Sequence, residues 1–491
     1  MYNAYVTRIK NLRKHSNADR LQCGECFGNT VVVSLEYEDN QLGVYFPTDG
    51  QLSVEFAEMN NLLRKKDENG NNIGGYMDPE KRNVTAIKLR GEKSDGLFLP
   101  IKSLDYCYYS DAQNKAIEEG YIDIVEGAAA KHLKEGDLIT VLNGHEICKK
   151  YIPRTNKRTG HPTEGNRTRK KKDPVAPLFA EHADTEQLAY NLGAFKAGDE
   201  VEITLKMHGT SQRTGYLPVL KGYKRTLLDR ILRRQGKPVY EYGYVSGTRR
   251  VVLDDFDGGF YGSNAFREQH SKAFEGKLMK GETVYYEVVG FTDNGTPIMG
   301  DCQNKKLNDK EFIKQYGETT TFSYGCSATG RRMMYGSDEY GDFKVDMPCP
   351  QSDVYVYRMT MTNEDGFVVE YTPDFMRYRC EQMGIKTVPV FTKLIIPDQE
   401  LTMPYEEGYE PEKITVYNSA GEYVQKIAEC FYDGPDPVGE THVREGVVVR
   451  ICNRPKFCAY KHKNWYFKAL EGIVKIEAEA PDMEEAQDVE V

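Results

Sequence analysis

The sequence predicts an α+β protein in which a small N-terminal β-barrel precedes a larger unit rich in antiparallel strands. The chain is 491 residues long, which is too long for one ordinary hydrophobic core. Short strand patterns separated by turn-forming residues fill roughly the first hundred residues. Over about the last three hundred residues, strand patterns alternate with helix-compatible pieces, as they do in antiparallel α+β proteins.

The N-terminal strand patterns are AYVTRIKNL, NTVVVSLEY, QLGVYFPTD and NVTAIKLRG. The turn-forming sequences EDN, DENGNN and GEKSDG lie between them. Several short strands at this spacing, without a long helical pattern, are typical of a small β-barrel, and an oligonucleotide-binding (OB) barrel fits the size. We therefore predict an OB-fold domain over residues 1–104.

The rest of the chain divides by composition. Residues 105–174 form a connector that ends in a basic segment, since Lys149–Lys172 carries ten Lys or Arg residues against one Glu. This segment is either a solvated flexible linker or an arm that contacts phosphates, and both interpretations stay open. Strand patterns such as DEVEITLKM and EGVVVRI predict a second domain over residues 175–476. The last residues, 477–491, carry seven acids and no base, and we expect a solvated, disordered tail.

Composition restricts the class of protein. Hydrophobic residues make up 39% and charged residues 29%, as in soluble globular proteins, and no apolar run approaches the ~20 residues of a membrane span. The start MYNAYVTRIKNLRK lacks the apolar core of a secretion signal, so a cytoplasmic protein is expected. The net charge of −10 excludes a uniformly basic coat, although not local basic patches.

The cysteines predict reduced thiols. The 11 cysteines are scattered without the regular spacing of a disulfide scaffold. Cys23 and Cys26 form a CxxC pair, but no second pair of ligands follows at the spacing of a structural zinc site. We therefore interpret these two residues as ordinary thiols.

The strongest functional signal is a series of motifs that begins at Lys206 in TLKMHGTSQR. The pattern KxxG alone arises often by chance. Here it is followed, in order, by VSGTRRVVL, VYYEVVGF, VYVYRMT, REGVVVRI and YKHKNWYFKAL. The series resembles motifs I, Ia, III, IIIa, IV and V of the covalent nucleotidyltransferases, which comprise DNA ligases, RNA ligases and messenger-RNA capping enzymes.

The resemblance is greatest to ATP-dependent RNA ligases whose OB barrel precedes the catalytic domain. The sequences KMHGTS, FAEHADTEQ and YFPTDGQLS are similar to that branch. The resemblance covers roughly residues 1–100 and 175–475. It implies an antiparallel nucleotidyltransferase domain after the barrel, ATP as cofactor, and a divalent cation, Mg or Mn.

The resemblance also implies that Lys206 attacks the α-phosphorus of ATP and forms lysyl-AMP. Such an attack needs a neutral amine, which neighbouring cations favour. Lys461 and Lys463 are two residues apart, so both point to one face of a strand, where they are expected to supply that field and hold the α-phosphate. Taken alone, the pair would be interpreted as a solvated strand face.

Four further positions are implied as ATP contacts. Arg249 in SGTRR binds phosphate or ribose through its planar guanidinium, with Arg250 as the alternative register. Glu287 accepts a hydrogen bond from a ribose hydroxyl, unless it belongs to a buried ion pair. His208 either contacts phosphate in the later steps or is a packing histidine. Gly209 lets the backbone approach the nucleotide.

The adenine and metal contacts follow from the same resemblance. Tyr357 is expected to stack on adenine, and Phe322 and Tyr324 compete for that assignment. Glu445 is the implied metal residue and positions Mg or Mn directly or through water. Leu205 departs from the family pattern, because many members carry an acid immediately before the nucleophile, so base selectivity for ATP is left unexplained.

The predicted function is an ATP-dependent RNA ligase that joins RNA 3′-hydroxyl and 5′-phosphate ends. Its partners are RNA ends or a nicked duplex, together with ATP; no membrane and no obligate protein partner are expected, and the resemblance implies a phage or bacterial repair enzyme. A DNA ligase or a GTP-dependent capping enzyme is the first alternative, although only 28 residues follow Lys463, too few for the OB domain that most of those enzymes place there. The second alternative is a non-catalytic OB-containing RNA-binding protein.

Overall fold

The computed structural model describes most of the chain. The described residues are 2–66, 72–109, 113, 127–152, 174–232, 234–253, 256, 264–339, 341–398, 401–402, 416–417 and 419–477. Most of the predicted basic segment, and the predicted acidic tail beyond Glu477, lie outside these ranges. The predicted α+β class is confirmed, because helices accompany sheets that are almost entirely antiparallel.

The chain forms two compact units. Unit 1 comprises Met1–Pro153, Asn304–Lys310 and Lys468–Ile476, and unit 2 comprises Arg154–Gln303, Glu311–Phe467 and Glu477–Val491. The boundaries predicted from composition remain a prediction. No helix in the described ranges is both long enough and apolar enough to cross a membrane.

The helices are short. They are α1 (Val54–Met59), α2 (Ala128–His132), α3 (Leu227–Ile231), α4 (Ala265–Lys272), α5 (Lys310–Tyr316), α6 (Pro373–Met383), α7 (Ala420–Glu429) and α8 (Trp465–Glu477). Single 3₁₀ segments cover Ile101–Tyr108, Leu188–Tyr190, Leu192–Ala194 and Asn304–Leu307. Helix α6 shows how the ends are fixed: the Thr372 side chain accepts from Phe375 N at the start, and Gly384 ends it at φ 67°.

Unit 1 is built from strands. They are β1 (Ala4–Arg8), β2 (Lys10–Lys14), β3 (Leu21–Cys26), β4 (Asn29–Ser34), β5 (Leu42–Phe46), β6 (Gly50–Leu52), β7 (Lys65–Lys66), β8 (Asn72–Gly74), β9 (Ala86–Leu89), β10 (Glu92–Asp95), β11 (Leu97–Pro100), β12 (Leu138–Ile139), β13 (Val141–Leu142), β14 (His145–Glu146) and β15 (Cys148–Lys150). The largest sheet has the order β11-β5-β1-β12, and β2-β3-β4 forms a second one. The closed OB barrel stays a prediction.

Alternation of side chains explains the core of unit 1. Strands β1 and β5 turn their apolar residues toward one cluster, which includes Val6, Val44 and Phe46, and α1 adds Phe56. All 11 cysteines are free, and Cys23 and Cys26 are buried in β3.

Unit 2 contains two larger sheets. Its strands are β16 (Glu186–Gln187), β17 (Glu200–Leu205), β18 (Thr210–Lys224), β19 (Lys237–Gly247), β20 (Val252–Leu253), β21 (Glu282–Gly290), β22 (Cys302–Gln303), β23 (Thr319–Thr320), β24 (Arg331–Asp338), β25 (Gly341–Pro348), β26 (Ser352–Thr362), β27 (Val368–Glu370), β28 (Val390–Ile395), β29 (Leu401–Thr402), β30 (Val416–Tyr417), β31 (Gly446–Ile451) and β32 (Ala459–Lys463). The six-stranded sheet has the order β20-β19-β18-β21-β26-β27. The five-stranded sheet has the order β16-β32-β31-β17-β28, in which only the β16–β32 pair is parallel.

Burial explains the order of these strands. Every residue of β21 is buried, so this strand of aromatic and β-branched residues lies in the interior of the six-stranded sheet. In the five-stranded sheet, β17 and β31 contribute Val201, Ile203 and Val449 to a cluster that α7 covers with Val424 and Ile427. The chain passes from β17 in one sheet to β18 in the other through residues 206–209, KMHG. This crossing carries the predicted nucleophile.

A buried ion pair in unit 2 provides a test of the fold. The Glu282 carboxylate, fully buried, accepts hydrogen bonds from Arg379 Nε at 2.9 Å and Nη2 at 2.9 Å, and from Tyr371 Oη at 3.0 Å. Arg379→Met leaves that charge without its cation and should lower the free energy of unfolding by about 3–5 kcal/mol, measured by urea denaturation. Arg331→Met, which removes the exposed pair with Asp346, is the control and should cost about 1 kcal/mol or less. Equal losses in the two variants would contradict this account.

Candidate active site

Strand order brings three predicted site residues to one end of the five-stranded sheet. Lys206 directly follows β17, Glu445 directly precedes β31, and Lys463 ends β32. Because β31 is antiparallel to both of its neighbours, the end of β17, the start of β31 and the end of β32 lie side by side. The place where these three strand ends meet is called the edge of the five-stranded sheet below. The backbone supports this arrangement, since Lys206 N donates to Gly446 O at 3.0 Å.

At this edge Glu445 lies between two lysines. Glu445 Oε1 is 2.9 Å from Lys206 Nζ and 3.2 Å from Lys463 Nζ, and Oε2 is 3.6 Å from His208 Nδ1. Burial of this carboxyl, which is 2% exposed, would raise its pKa, but the charges of Lys206 and Lys463, with the His208 ring nearby, outweigh burial and hold the pKa well below its usual value. Glu445 is therefore an ionised carboxylate inside the protein.

The lysine pair of β32 lies as its spacing predicts. Lys461 and Lys463 are both half-buried, whereas His462 between them is buried and stacks on Tyr432 with ring centroids 4.8 Å apart. Successive side chains of a strand point to opposite faces, so the two lysines share one face. Lys206 and Lys463 place two cations against the one carboxylate of Glu445, a net positive charge that suits a phosphate group, and Lys461 lies two residues further along the same face of β32.

The six-stranded sheet supplies the second half of the site. Ser211 in β18 pairs with Glu287 in β21, and Ser211 Oγ lies 3.4 Å from Glu287 Oε2 and 3.0 Å from Tyr357 Oη. Glu287 is 7% exposed, and Tyr357 is half-buried. The structure thus brings Glu287 and Tyr357 together around the hydroxyl of Ser211, a residue that the sequence did not single out.

A bulge in β26 aims Tyr357 at this position. Tyr285 pairs with Arg358 and Tyr286 pairs with Val356, so Tyr357 is the extra residue between two paired positions. Such a bulge changes the direction of the side chain that it carries. Simple strand alternation does not reveal it.

The alternatives to Tyr357 surround His208 instead. The His208 ring packs edge-on against Phe322 at 4.7 Å and Phe467 at 4.6 Å, and His208 N donates to Tyr324 Oη at 2.7 Å. Phe322 and Tyr324 are each 3% exposed, which leaves their rings little surface for a base. This burial favours Tyr357 for a stacking role and gives His208 a packing environment beside Glu445.

Gly209, which directly precedes β18, lies very close to strand β21. A Cβ at this position would lie 2.4 Å from the backbone oxygen of Val288 and 2.9 Å from Glu287 Cγ. Only glycine fits so close to β21. The sequence predicted that Gly209 clears space for a nucleotide, and the close approach of β21 is a reason that the sequence did not reveal.

Arg249 and Arg250 both face Asp184. Arg249 Nε is 3.5 Å from Asp184 Oδ1, and Arg250 Nη2 is 3.5 Å from Oδ2. The Arg249 side chain is 22% exposed and that of Arg250 is 55% exposed. The Arg249 carbonyl also accepts from His182 N at 3.1 Å, which ties Arg249 to the interior and favours it as the motif arginine.

His182 is a further site residue that sequence reasoning missed. Its ring packs edge-on against Tyr357 with centroids 5.4 Å apart. Burial, followed by the charges of Arg249 and Arg358, lowers the pKa of His182 to about 3, so the imidazole is neutral at pH 7. The available signal was the sequence FAEHADTEQ, which contributed to the resemblance without pointing to this histidine.

The side chains of this site would hold a divalent cation only together with a phosphate group of a bound ligand. Among the described residues, no group of three or more His, Cys, Asp or Glu side chains is placed to hold a metal. Glu445 offers carboxylate oxygens but lies against two lysines. Magnesium is commonly held by one or two carboxylates, substrate phosphates and water, and that composition is compatible with this edge. The metal role of Glu445 stays a prediction.

The chain is similar to solved structures of Naegleria gruberi RNA ligase. A variant with ATP and Mn aligns at 13% identity and a TM-score of 0.47, and a variant with AMP and Mn aligns at 14% and 0.48; each alignment covers 97% of this chain and 99% of that chain. The enzyme with PPi aligns at 13% identity and a TM-score of 0.45, with the same coverage. No protein-family model matches the sequence, and no curated protein matches it. We therefore infer function from the site and the order of the motifs.

His182 should make stability depend on pH. In the folded protein it stays neutral down to about pH 3, whereas in the unfolded chain it takes up a proton near pH 6.5. Its contribution is therefore fully present above about pH 6.5 and is lost as the pH falls toward 3, by at most about 1.4 kcal/mol per pH unit. His182→Phe should remove this part of the slope in urea denaturation between pH 7 and pH 5. His132→Gln, at an exposed histidine, should keep it, and an unchanged slope in His182→Phe would refute the prediction.

Proposed function

We propose that the protein is an ATP-dependent RNA ligase that joins RNA 3′-hydroxyl and 5′-phosphate ends through lysyl-AMP and 5′-adenylylated RNA. The observation that carries the proposal is that the buried Glu445 carboxylate contacts both Lys206 and Lys463. From Lys206 the chain crosses directly to the six-stranded sheet, which holds Glu287 and Tyr357. The order of the motifs in the sequence supports the same chemistry.

In the first step, the Lys206 amine attacks the α-phosphorus of ATP. The Nζ–P bond forms, the bond from the α-phosphorus to the bridging oxygen breaks, pyrophosphate leaves, and the nitrogen releases one proton to solvent. Lys463 and Lys461 offset negative charge at the reacting phosphate and favour the neutral form of the attacking amine. Glu445 acts in the opposite direction while it contacts Lys206, so release of this contact activates the nucleophile. A divalent cation bound with the triphosphate would offset its charge and compete with Lys206 for Glu445.

The other site residues hold the nucleoside. Tyr357 stacks on adenine, Glu287 accepts a hydrogen bond from a ribose hydroxyl, and Arg249 binds phosphate or ribose. His182, neutral and packed on Tyr357, fixes the orientation of that ring. The apolar Leu205 side chain cannot hydrogen-bond to the adenine amino group. Other residues of the site therefore have to distinguish ATP from the other nucleotides.

In the later steps, AMP passes from Lys206 to the RNA 5′-phosphate and forms a 5′–5′ pyrophosphate bridge. The RNA 3′-hydroxyl then attacks the 5′-phosphate and expels AMP. The positive charges of Lys461 and Lys463, with His208 as a further polar contact, suit the phosphates that take part in both transfers. Residues 1–104 are proposed as the OB domain, 105–174 as the connector, 175–476 as the catalytic domain and 477–491 as the tail, in an enzyme that acts on RNA ends in the cytoplasm.

Adduct formation tests the nucleophile and the nucleotide. With α-labelled ATP and magnesium or manganese, the wild-type protein should become labelled in a denaturing gel, and Lys206→Ala should not. Lys196→Ala, at an exposed lysine of the same unit, is the matched control and should label fully. Labelling by GTP alone would identify a capping-type enzyme, and labelling of Lys206→Ala would refute the assigned nucleophile.

Nicked duplexes with RNA or DNA at each end would separate an RNA ligase from a DNA ligase.

Substitutions of Tyr357 test the stacking role. Tyr357→Phe keeps the ring and loses only the hydroxyl near Ser211, so the KM for ATP should change little. Tyr357→Ala should cost about 1–3 kcal/mol of binding, which corresponds to an increase in KM for ATP of roughly 5- to 150-fold. A KM for ATP that is unchanged in Tyr357→Ala would move the adenine contact to another residue.

A further inference from the structure

A two-stranded ribbon extends beyond the six-stranded sheet of unit 2. Strands β18 and β19 pair over nearly their full length, but β21 pairs with β18 only over residues 210–215, and β20 reaches only Ser246 and Gly247 of β19. The β18–β19 ribbon, defined as the described residues within 216–244, therefore lies past its sheet neighbours and carries α3 at its tip. Only its base packs on apolar neighbours, where Leu217 contacts the cluster of Phe179 and Val245.

The outer part of the ribbon is strongly basic. Its exposed cations are Lys221, Lys224, Arg225, Arg230, Arg234 and Lys237. Between residues 221 and 237 the acid is Asp229, which accepts from Thr226 N at 2.9 Å and from Thr226 Oγ1 at 2.7 Å in the capping box of α3, and a second exposed acid, Glu241, lies nearer the base of the ribbon. Within the part of the chain that the structure describes, none of the six cations forms an ion pair.

Two of these cations lie directly opposite one another. Lys224 pairs with Lys237 across the ribbon, immediately before the tip. Like charges at paired positions destabilise a hairpin. The Thr226 hydrogen bonds and, to a smaller extent, the charges of Arg234 and Lys237 lower the pKa of Asp229, so this one carboxylate offsets part of the positive charge of the tip. An anion bound there would relieve the repulsion, which points to an anionic partner.

The tip also exposes an apolar face. Leu227, Leu228, Ile231 and Leu232 are 77%, 68%, 75% and 53% exposed. Their spacing places them on one side of α3, whose start is fixed by the capping box. Exposed aliphatic side chains grouped in this way are typical of an interaction surface.

We propose that the tip of the β18–β19 ribbon binds the RNA substrate, with its lysines and arginines on the phosphate backbone and its aliphatic side chains against unstacked bases. The choice of RNA as the partner rests on the proposed function. RNA offers both a polyanion and apolar base faces, which match the two properties of the tip.

The neighbouring sequence has the same charge. Leu220 N donates to Val175 O at 2.8 Å, and Tyr240 Oη donates to Pro174 O at 3.2 Å, so the chain at residues 174–175 runs along the ribbon. The sequence RTRKKK, residues 167–172, comes shortly before these contacts. The proposed site is confined to the described residues of the ribbon.

Neutralising the opposed lysines tests the electrostatic part. Lys224→Gln/Lys237→Gln removes two cations and relieves their repulsion, so folding should not suffer. Binding to a 5′-phosphorylated nicked RNA duplex, followed by fluorescence anisotropy over a series of salt concentrations, should weaken, and the slope of log K against log [salt] should fall by about 2. Lys196→Gln/Lys314→Gln, which makes the same change of charge at exposed lysines elsewhere, should bind RNA with the wild-type slope.

A second variant tests the apolar part. Leu228→Ser/Ile231→Ser should weaken RNA binding while the salt slope stays at the wild-type value, because no cation is lost. RNA binding equal to wild type in both tip variants would overturn the proposal. So would binding to vesicles of phosphatidylcholine and phosphatidylserine that is lost in the serine variant while RNA binding is kept.

Lysyl-AMP formation separates this proposal from the function on which it rests. Both tip variants should form the adduct at the wild-type rate, since Lys206 and Glu445 are untouched. A wild-type protein that binds RNA through the ribbon but forms no adduct would refute the ligase proposal alone. Normal adduct formation with an unchanged salt slope in the glutamine variant would refute the ribbon proposal alone.

Discussion

A buried carboxylate with two lysine partners is the constraint on which the site depends. Glu445 has almost no exposure, and a lone charge in that position would be costly, but Lys206 and Lys463 both lie close enough to offset it. The same requirement fixes the ends of three neighbouring strands relative to one another. Gly446 shows how tight this edge is: it adopts φ 146°, and a Cβ there would lie 2.1 Å from the His462 carbonyl oxygen. The strand pairing of this sheet therefore also brings the charged residues of the site together.

The second determinant is the position of the nucleophile between two sheets. Lys206 belongs to the edge of the five-stranded sheet, whereas Ser211, Glu287 and Tyr357 belong to the six-stranded sheet. The fold thus separates the lysines that are proposed to contact phosphate from the residues that are proposed to contact the nucleoside. His208 and Gly209, which lie in the crossing, are held on both sides by ring packing and by the close approach of β21.

Much of this arrangement was predictable because it depends on regular structure. The strands around EITL, YYEVVG, VYVYRMT and VVVRI have strong β patterns, and residues at the ends of adjacent strands meet whatever the loops do. Contacts that break the regular pattern were not predictable. The bulge at Tyr357 alters strand alternation, His182 lies in a segment without periodicity, and the burial of Phe322 and Tyr324 depends on Phe467 and His442, which are distant in sequence.

The four-residue crossing KMHG limits how far apart the two halves of the site can lie. An extended chain spans at most about 3.3–3.6 Å per residue, so the five steps from Lys206 to Ser211 cover no more than roughly 18 Å. The two halves of the site cannot separate further than this while both sheets stay intact. The crossing therefore sets an upper limit on the distance between the backbone of Lys206 and that of Ser211, and any ligand that contacts both sheets here has to fit within that reach.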